Sequence, residues 1–226
     1  MTNVKNESSQ SRSRGRPRSF DRDAALWIAT QLFWKHGYEG TSIADLTEAM
    51  GITPQSLYAA YRSKADLYRE SVQCYLERAG SFTSRALDEE KDVLDAFARV
   101  FSETAERFST ANLPQGCMVS TAVLTCAQEN QPVADHVRGL RSNTLTCFQQ
   151  RIEQAIEDRQ LPLDTEARSL ARYLGALIQG MSIQAQDGAA RDELAGLARI
   201  GIEELRRRRN CVTPNDPQPK RHNPLQ

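Results

Sequence analysis

The chain has 226 residues, enough for one sizeable core or for a small domain plus a larger one, and with 39% hydrophobic and 26% charged residues its composition is typical of a globular protein. No apolar run reaches the ~18 to 20 residues that a membrane-spanning helix needs, so we expect a cytoplasmic protein without a membrane partner. The five cysteines include no CxxC pair, so we expect reduced thiols, no metal site and no cofactor.

The net charge is zero, but the charges are unevenly distributed. Residues 1–19 hold five basic residues against one acidic residue, a net +4, and residues 206–226 hold six against one, a net +5. Residues 71–205 hold 13 basic and 20 acidic residues, a net −7. An acidic body with basic ends is typical of a protein whose terminal arm binds a polyanion. We expect residues 1–19 to form a flexible arm and residues 210–226 a disordered tail.

Proline positions indicate where helices begin, because proline is tolerated in the first turn of a helix but breaks its interior. Pro54, Pro114, Pro132 and Pro162 all lie between periodic apolar segments. No segment alternates polar and apolar residues as a half-buried strand does. The sequence therefore predicts an all-α protein of about nine helices.

The first helix has recognisable signals at both ends. Asp21 is a candidate N-cap, it is preceded by Phe20, and apolar residues then recur at helical spacing. Gly37 is suited to the left-handed conformation that ends a helix, and Tyr38 would then fold back on Phe33.

Two short helices are predicted to follow, with almost no linker. Thr41 or Ser42 opens the first and Gly51 closes it, while Thr53 caps the second with Pro54 at its first position. Two short helices joined by a tight glycine turn match a helix-turn-helix, whose second helix enters the DNA major groove with its N-terminal residues against the base edges.

The outward face of this second helix is short and polar if Leu57 and Tyr61 point into the core. We predict that its N-terminal residues contact bases and that hydroxyl and ammonium groups around it contact phosphate oxygens. The predicted base contacts are Thr53, Pro54, Gln55 and Ser56, and the predicted phosphate contacts are Thr41, Ser42, Tyr58 and Lys64. Ser63 and Asp66 resemble a capping box that opens a fourth helix.

The segment before the first helix, “SRSRGRPRSF”, carries arginine at alternating positions. Arg14, Arg16 and Arg18 suit insertion into a minor groove, as the arms of homeodomains do. Two plainer interpretations stay open. The basic segment is also compatible with a solvated tail, and helix pairs with a glycine turn also occur in helical proteins that bind no DNA.

The stretch “FDRDAALWIATQLFWKHGYEGTSIADLTEAMGITPQSLYAAYRSKADLY” resembles the DNA-binding domain of the TetR/AcrR family of bacterial transcriptional regulators. The similarity extends over about residues 16–70 and includes “GRPR”, “LFWKHGYEGTSI”, “MGI” and “SLYAAYRSKADL”. It implies a DNA-binding domain (20–65) and a larger helical domain for ligand and dimer contacts (66–209). The implied partners are double-stranded operator DNA, a second copy and a small-molecule effector that relieves repression. Ala59 departs from the family, many members of which have an aromatic residue there.

The rest of the chain fits this plan. Residues 64 to about 86 are predicted to form one long helix, and residues 92 to about 109 another with an aromatic stripe. “GCMVSTAVLTCA” is predicted to be a short apolar helix, and a longer one follows Pro132. The candidate ligand-pocket residues, with plain core packing as the alternative, are Phe97, Phe101, Met118, Ala122, Phe148 and Tyr173.

The last two helices are candidates for a dimer interface, because their apolar residues repeat at near-heptad spacing with small residues between them. Packing within one chain is the alternative. A two-fold operator requires a two-fold protein, which favours the homodimer. The predicted interface residues are Leu170, Leu174, Leu177, Met181, Leu194, Leu197 and Gly201.

Two alternatives to a ligand-released regulator stay open. A helical enzyme is disfavoured, because His36, His136 and His222 are far apart and no known catalytic motif is present. A thiol- or soft-metal-responsive regulator is the second, because Cys117 lies at a predicted helix N-terminus, where the dipole favours a thiolate. Cys126 follows nine residues later, ~900° around a helix, and would lie on the opposite face.

Overall fold

The computed structural model describes residues 20–211. Within this range the chain forms nine α-helices and no strand, so the prediction of an all-α fold is confirmed. The helices are α1 Arg22–His36, α2 Ile43–Met50, α3 Pro54–Tyr61, α4 Lys64–Tyr75, α5 Phe82–Glu89, α6 Val93–Phe108, α7 Gln131–Glu157, α8 Ala167–Gln186 and α9 Arg191–Arg209. None of the helices between residues 20 and 211 is both long and apolar enough to span a membrane.

Each of the first three helices begins at a side-chain cap that the sequence predicts. Asp21, Ser42 and Thr53 accept hydrogen bonds from main-chain N–H groups of the first turns of α1, α2 and α3. These N–H groups have no partner within their own helix, so the caps stabilise the helix starts. α1 and α2 end at Gly37 (φ +73°) and Gly51 (φ +65°), where glycine adopts a positive φ without strain.

The buried apolar side chains form two clusters. One unites α1–α4 with residues 118–119 and the first turns of α7, and it includes Phe33, Leu57 and Tyr68. The other unites α5–α9 and includes Phe97, Phe101, Phe148, Ile152 and Leu174. We call residues 20–61 the head, residues 62–81 the connector and residues 82–211 the body.

The connector is not the continuous α-helix that was predicted for residues 64 to about 86. A π-helical turn, Leu76–Gly80, follows α4, and α5 begins anew at Phe82. The physical reason lies in the pair Gly80 and Ser81, because glycine has a low helix propensity and serine competes for backbone hydrogen bonds. The connector is therefore interrupted where it meets the body.

Residues 116–127 are irregular, so the prediction of a short helix there is wrong. Alternating valine and threonine in this segment disfavour a helix, because β-branched side chains lose χ1 freedom. Hydrogen bonds from another helix satisfy its carbonyls instead. Nη1 of Arg141 on α7 donates to the carbonyl oxygens of Val119 (3.1 Å) and Ala122 (2.8 Å). We call residues 116–122 the strap.

Two inferences about cysteines fail together with that helix. Cys117 does not lie at a helix N-terminus, and no helical period separates it from Cys126. Cys117 lies in the strap, where its N–H donates to Oγ of Ser182 on α8 (2.8 Å). Its Sγ accepts from the Tyr75 hydroxyl (3.3 Å) and from the N–H of Val119 (3.4 Å).

Candidate nucleic-acid interface

α2 and α3 are joined by a turn of three residues that begins at Gly51. Pro54 occupies the first turn of α3, where its missing N–H removes no helical bond. Leu57 and Tyr61 point inward and are fully buried, which fixes α3 against the head. The opposite face of α3 is exposed and consists of Pro54, Gln55, Tyr58 and Ala59.

The four predicted base contacts are not equally free to act. Oγ1 of Thr53 accepts from the N–H of Ser56 (3.1 Å) and lies 2.9 Å from the Ser56 hydroxyl, so these two residues are engaged in the helix cap. Pro54 has no donor group. Gln55 is exposed, and its side chain makes no hydrogen bond to any residue between 20 and 211. Its amide is therefore the polar group on α3 that is best placed to contact a base edge.

The three predicted hydroxyl contacts to phosphate also differ. Thr41 is 1% exposed, and its hydroxyl donates to the carbonyl of Gly37 (2.7 Å), so it supports the turn and faces no solvent. Ser42 is exposed, but its hydroxyl is paired with Asp45 in the cap of α2. The Tyr58 ring is 47% exposed on the outer face of α3. Tyr58 is therefore the most accessible of the three.

Lys64 lies in the first turn of α4, next to α3. Its Nζ is 4.4 Å from the ring centroid of Tyr38, which gives the ammonium a cation–π contact. Burial lowers the pKa of Lys64, and the carboxylates of Glu39 and Asp45 partly oppose this shift. The ammonium is thus held in a defined position beside the recognition helix, where it is suited to a single phosphate contact.

Arg62 is a further candidate that the sequence reasoning missed. It is the exposed residue directly after α3, and it adopts a positive φ of +64°. A non-glycine residue with this φ is strained, and the conformation persists only where the surrounding structure fixes it. Only Arg62 and Ser63 separate α3 from α4. A linker of two residues between predicted helices is the sequence feature that could have indicated an unusual backbone conformation at Arg62. The linker therefore places the positively charged Arg62 at the C-terminal end of α3.

The head itself is not basic. Residues 20–61 contain two Lys and Arg and five Asp and Glu, a net −3. Phosphate attraction therefore depends on where the few cations lie and on the basic arm. Arg14, Arg16 and Arg18, the predicted minor-groove residues, lie outside the described residues.

The candidate ligand-pocket residues do not gather around one cavity. Phe97 and Phe101 are fully buried in the body core, and Tyr173 is on the surface. Met118 and Ala122 line a groove of about 890 Å³ between α1 and the strap. Phe148 lines a second cavity, of about 280 Å³, between the connector and the body.

The predicted dimer residues lie mostly inside one chain. Leu170, Leu174, Met181 and Leu194 are buried in the body core and are unavailable to a second copy, which corrects the predicted face. Gly201 is buried as well, and a Cβ there would lie 2.7 Å from Cδ1 of Leu177. Leu177 and Leu197 are half-buried. Three large apolar side chains of α8 and α9 are exposed instead, and these are Tyr173, Ile183 and Ile200.

A capped three-helix head with an exposed recognition helix defines a helix-turn-helix DNA-binding protein. Residues 27–70 match the bacterial regulatory proteins of the tetR family, and residues 91–199 match the tetracyclin repressor-like C-terminal domain. The chain therefore belongs to the TetR family of transcriptional regulators and is a DNA-binding regulator.

Individual relatives cover most of the chain. It is 37% identical over 188 residues to the HTH-type transcriptional repressor ComR of Escherichia coli (strain K12). The matched region covers 83% of this chain and 90% of ComR. It is 26% identical over 197 residues to the HTH-type transcriptional repressor BdcR of the same strain, covering 87% and 95%. A solved structure of a cysteine mutant of the TetR family regulator CifR, complexed with 26-bp double-strand operator DNA, matches with a TM-score of 0.80 at 38% identity, covering 84% of this chain and 98% of that chain.

Proposed function

We propose that this chain is a cytoplasmic transcriptional repressor that acts by binding and not by catalysis. Two copies bind a two-fold operator, with α3 of each copy in successive major grooves. The exposed Gln55 on a rigidly capped α3 is the observation that carries this proposal. The repressors ComR and BdcR and the operator-bound CifR support it by similarity.

We assign the dimer interface to the exposed face of α8 and α9. Tyr173, Ala176, Gly180 and Ile183 recur three or four residues apart and so share one side of α8. Ile200 continues the apolar surface on α9 and is 67% exposed.

The glycines on this face support the same assignment. A Cβ added to Gly180 would meet no atom within 4 Å, and one added to Gly196 would meet only the end of the Arg199 side chain. Packing within the chain therefore does not require glycine at either position. Small residues allow two helix backbones to approach closely, as a partner helix of a second copy would.

Release of the operator is assigned to a small molecule bound in the 280 Å³ cavity. The cavity is lined by Tyr75 and Leu76 of the connector and by residues of the strap. Both elements contact the head: Tyr75 packs edge-on against Trp34 of α1, with ring centroids 4.8 Å apart. A ligand that displaces them changes the spacing of the two recognition helices, which must match grooves ~34 to 36 Å apart.

Selection of bound fragments from a random DNA library tests this function. We expect enrichment of an inverted repeat whose half-sites are one helical turn, or a multiple of it, apart. Footprinting and a stoichiometry of an even number of chains per site complete the test. Enrichment of single, unpaired half-sites, or of no sequence at all, would contradict the proposal.

A thiol-responsive regulator remains the second candidate. Two donors point at Sγ of Cys117, from Tyr75 of the connector and Val119 of the strap. An adduct on this sulfur would displace both groups and so act where a ligand acts. We expect N-ethylmaleimide to weaken operator binding of the unmodified protein and of Cys211→Ser, but not of Cys117→Ser. Equal weakening of all three proteins would exclude Cys117 as the sensor.

A further inference from the structure

The 280 Å³ cavity has a distinctive lining. Its volume lies near the lower limit of small-molecule sites, so it suits a compact ligand. Most of its surface is apolar, and four of the side chains around it are aromatic, namely Tyr75, Phe82, Phe108 and Phe148. Such side chains pack favourably against a flat ring.

One charged residue lines this cavity, Arg141 of α7, and no carboxylate between residues 20 and 211 does. Nη1 of Arg141 is bound to the two strap carbonyls, whereas Nε and Nη2 donate to none of the described residues. The guanidinium is only partly exposed, and burial lowers its pKa, yet arginine stays cationic in proteins. A partly buried cation without an anionic neighbour is unfavourable until an anion pairs with it.

A buried polar group of the connector also lacks a partner. The hydroxyl of Tyr68 is buried and makes no hydrogen bond within the described part of the chain. Burial raises the pKa of this hydroxyl, and the charge of Arg141 partly offsets the shift. Tyr68 does not line the cavity, whereas Arg141 does and offers only donors, so an electron-rich acceptor is the group that Arg141 favours.

We infer that the cavity binds a small aromatic carboxylate, with its ring among the aromatic side chains and its carboxylate paired with Arg141. This inference rests on the proposed function, because the carboxylate is then the effector that relieves operator binding. A guanidinium and a carboxylate form paired, charge-assisted hydrogen bonds that are stronger than bonds to neutral carbonyls. A neutral amide of the same shape lacks this gain.

The strap explains how such a ligand would reach the head. Arg141 holds the strap carbonyls, while Nε1 of Trp34 on α1 donates to the carbonyl of Gly116 at the start of the strap (3.2 Å). A carboxylate that pairs with Arg141 competes with these carbonyls, so it binds more tightly to the conformation in which the strap is detached from Arg141. This preference supplies the differential affinity that a ligand needs to shift a conformational equilibrium.

Calorimetric titration of the full chain with benzoate and 2-naphthoate, and with benzamide and 2-naphthamide, tests the ligand class. We expect at least one acid to bind, and its amide to bind at least tenfold more weakly. Binding of neither acid, or equal binding of acid and amide, overturns the inference. This comparison uses the unmodified protein and therefore does not depend on the folding of any variant.

Two arginine variants test the assigned residue. Arg141→Gln should weaken binding of the acid at least tenfold and remove its advantage over the amide. Arg138→Gln is the matched control, because Arg138 lies on the same helix, is exposed and pairs with Asp135. It should bind the acid like the unmodified protein. Unchanged acid binding by Arg141→Gln, checked for folding by circular dichroism, removes Arg141 from the site.

Tryptophan fluorescence tests the link to the head. The chain has two tryptophans, so Trp27→Phe leaves Trp34 as the sole reporter of the strap. We expect the bound acid to change Trp34 emission and to weaken binding of the selected operator. If neither acid binds to protein that still selects an operator, this inference fails while the proposed function stands. If the acid binds without weakening operator binding, it is not the effector.

Discussion

The head and the body begin their helices differently. α1, α2 and α3 of the head all start at a capping side chain; in the body α6 does so at Asp92, but α7 and α8 start at Asn130 and Glu166, whose side chains cap nothing. The two longest helices also lie in the body, with 27 residues in α7 and 20 in α8. The head is therefore specified by short-range signals and the body by long-range packing, where the sequence indicates a helix but not the face that is buried.

The largest expected effect concerns the face of the body on which we place the dimer interface. Ile200→Asp should yield a monomer in sedimentation, because it puts a charge into an apolar interface. Operator affinity should fall about a thousandfold, roughly 4 kcal/mol, towards the nonspecific level. Leu124→Asp is the matched control, since Leu124 and Ile200 are both 67% exposed. A dimeric Ile200→Asp protein would place the interface elsewhere.

Removal of a core side chain from the head should have the next largest effect. Leu57 is fully buried between α3 and the rest of the head. Leu57→Ala should lower the free energy of unfolding by about 2 to 5 kcal/mol, through lost burial and a residual cavity. Urea denaturation measures this loss. Leu163→Ala, at an exposed leucine of the body, should change stability by less than about 0.5 kcal/mol. Equal effects of the two variants would contradict the burial of α3.

Deletion of residues 1–18 should flatten the salt dependence of operator binding. Residues 1–18 hold four arginines and one lysine, of which Arg14, Arg16 and Arg18 are the predicted contacts. Each phosphate contact contributes about 0.9 to the slope of log affinity against log salt, so loss of these three contacts lowers it by roughly 3 per copy. Fluorescence anisotropy at several salt concentrations measures the slope. Deletion of residues 212–226, which carry a net charge of only +1, is the control. An unchanged slope after the first deletion would mean that the arm is a solvated tail.

A smaller and more selective effect is expected at the recognition helix. Gln55→Ala should reduce discrimination at one operator base pair by about 1 to 3 kcal/mol, because the amide pairs with both donor and acceptor of adenine. Binding to random DNA should be nearly unchanged. Gln73→Ala on the connector, also at an exposed glutamine, is the control. If Gln55→Ala weakens operator and random DNA equally, Gln55 does not contact a base.

The smallest effect is expected at Lys64, at the start of the connector. Lys64→Ala should lower the salt slope by about 0.9, one phosphate contact, and weaken binding to all sequences alike. Lys91→Ala, at an exposed lysine of the body, should leave the slope unchanged. A change of specificity in Lys64→Ala would mean that the ammonium contacts a base and not a phosphate.

The sequence predicted the features that a few neighbouring residues decide. The caps at Asp21 and Thr53 and the helix end at Gly51 were found, because each depends on contacts within one turn. The inward direction of Leu174 was not found, because its helix carries apolar residues on two sides, including Ile183. Which side faces the chain and which faces outward depends on α6, α7 and α9, and spacing alone does not contain this information.

The candidate site shows the same limit. Gln55 was predicted from its place in α3, whereas the engagement of the Thr41 hydroxyl with a carbonyl became evident only from the fold. The strap was mistaken for a helix because its apolar composition dominates the local pattern. Its conformation depends on Arg141 and Ser182, which lie far along the chain. Hydrogen bonds from a side chain to a main-chain group far along the chain do not change the spacing of apolar residues, so the sequence pattern does not reveal them.

The strap also has a place in the order of folding. Its bonds join residues 82 apart (Trp34 and Gly116) and 65 apart (Cys117 and Ser182). Helices form in about a microsecond, whereas contacts between distant residues wait for the closure of long loops, so the strap closes after the helices it joins. Irregular segments also open with free energies below that of global unfolding. The strap is therefore completed after the helices that it joins, and it opens before the molecule unfolds globally.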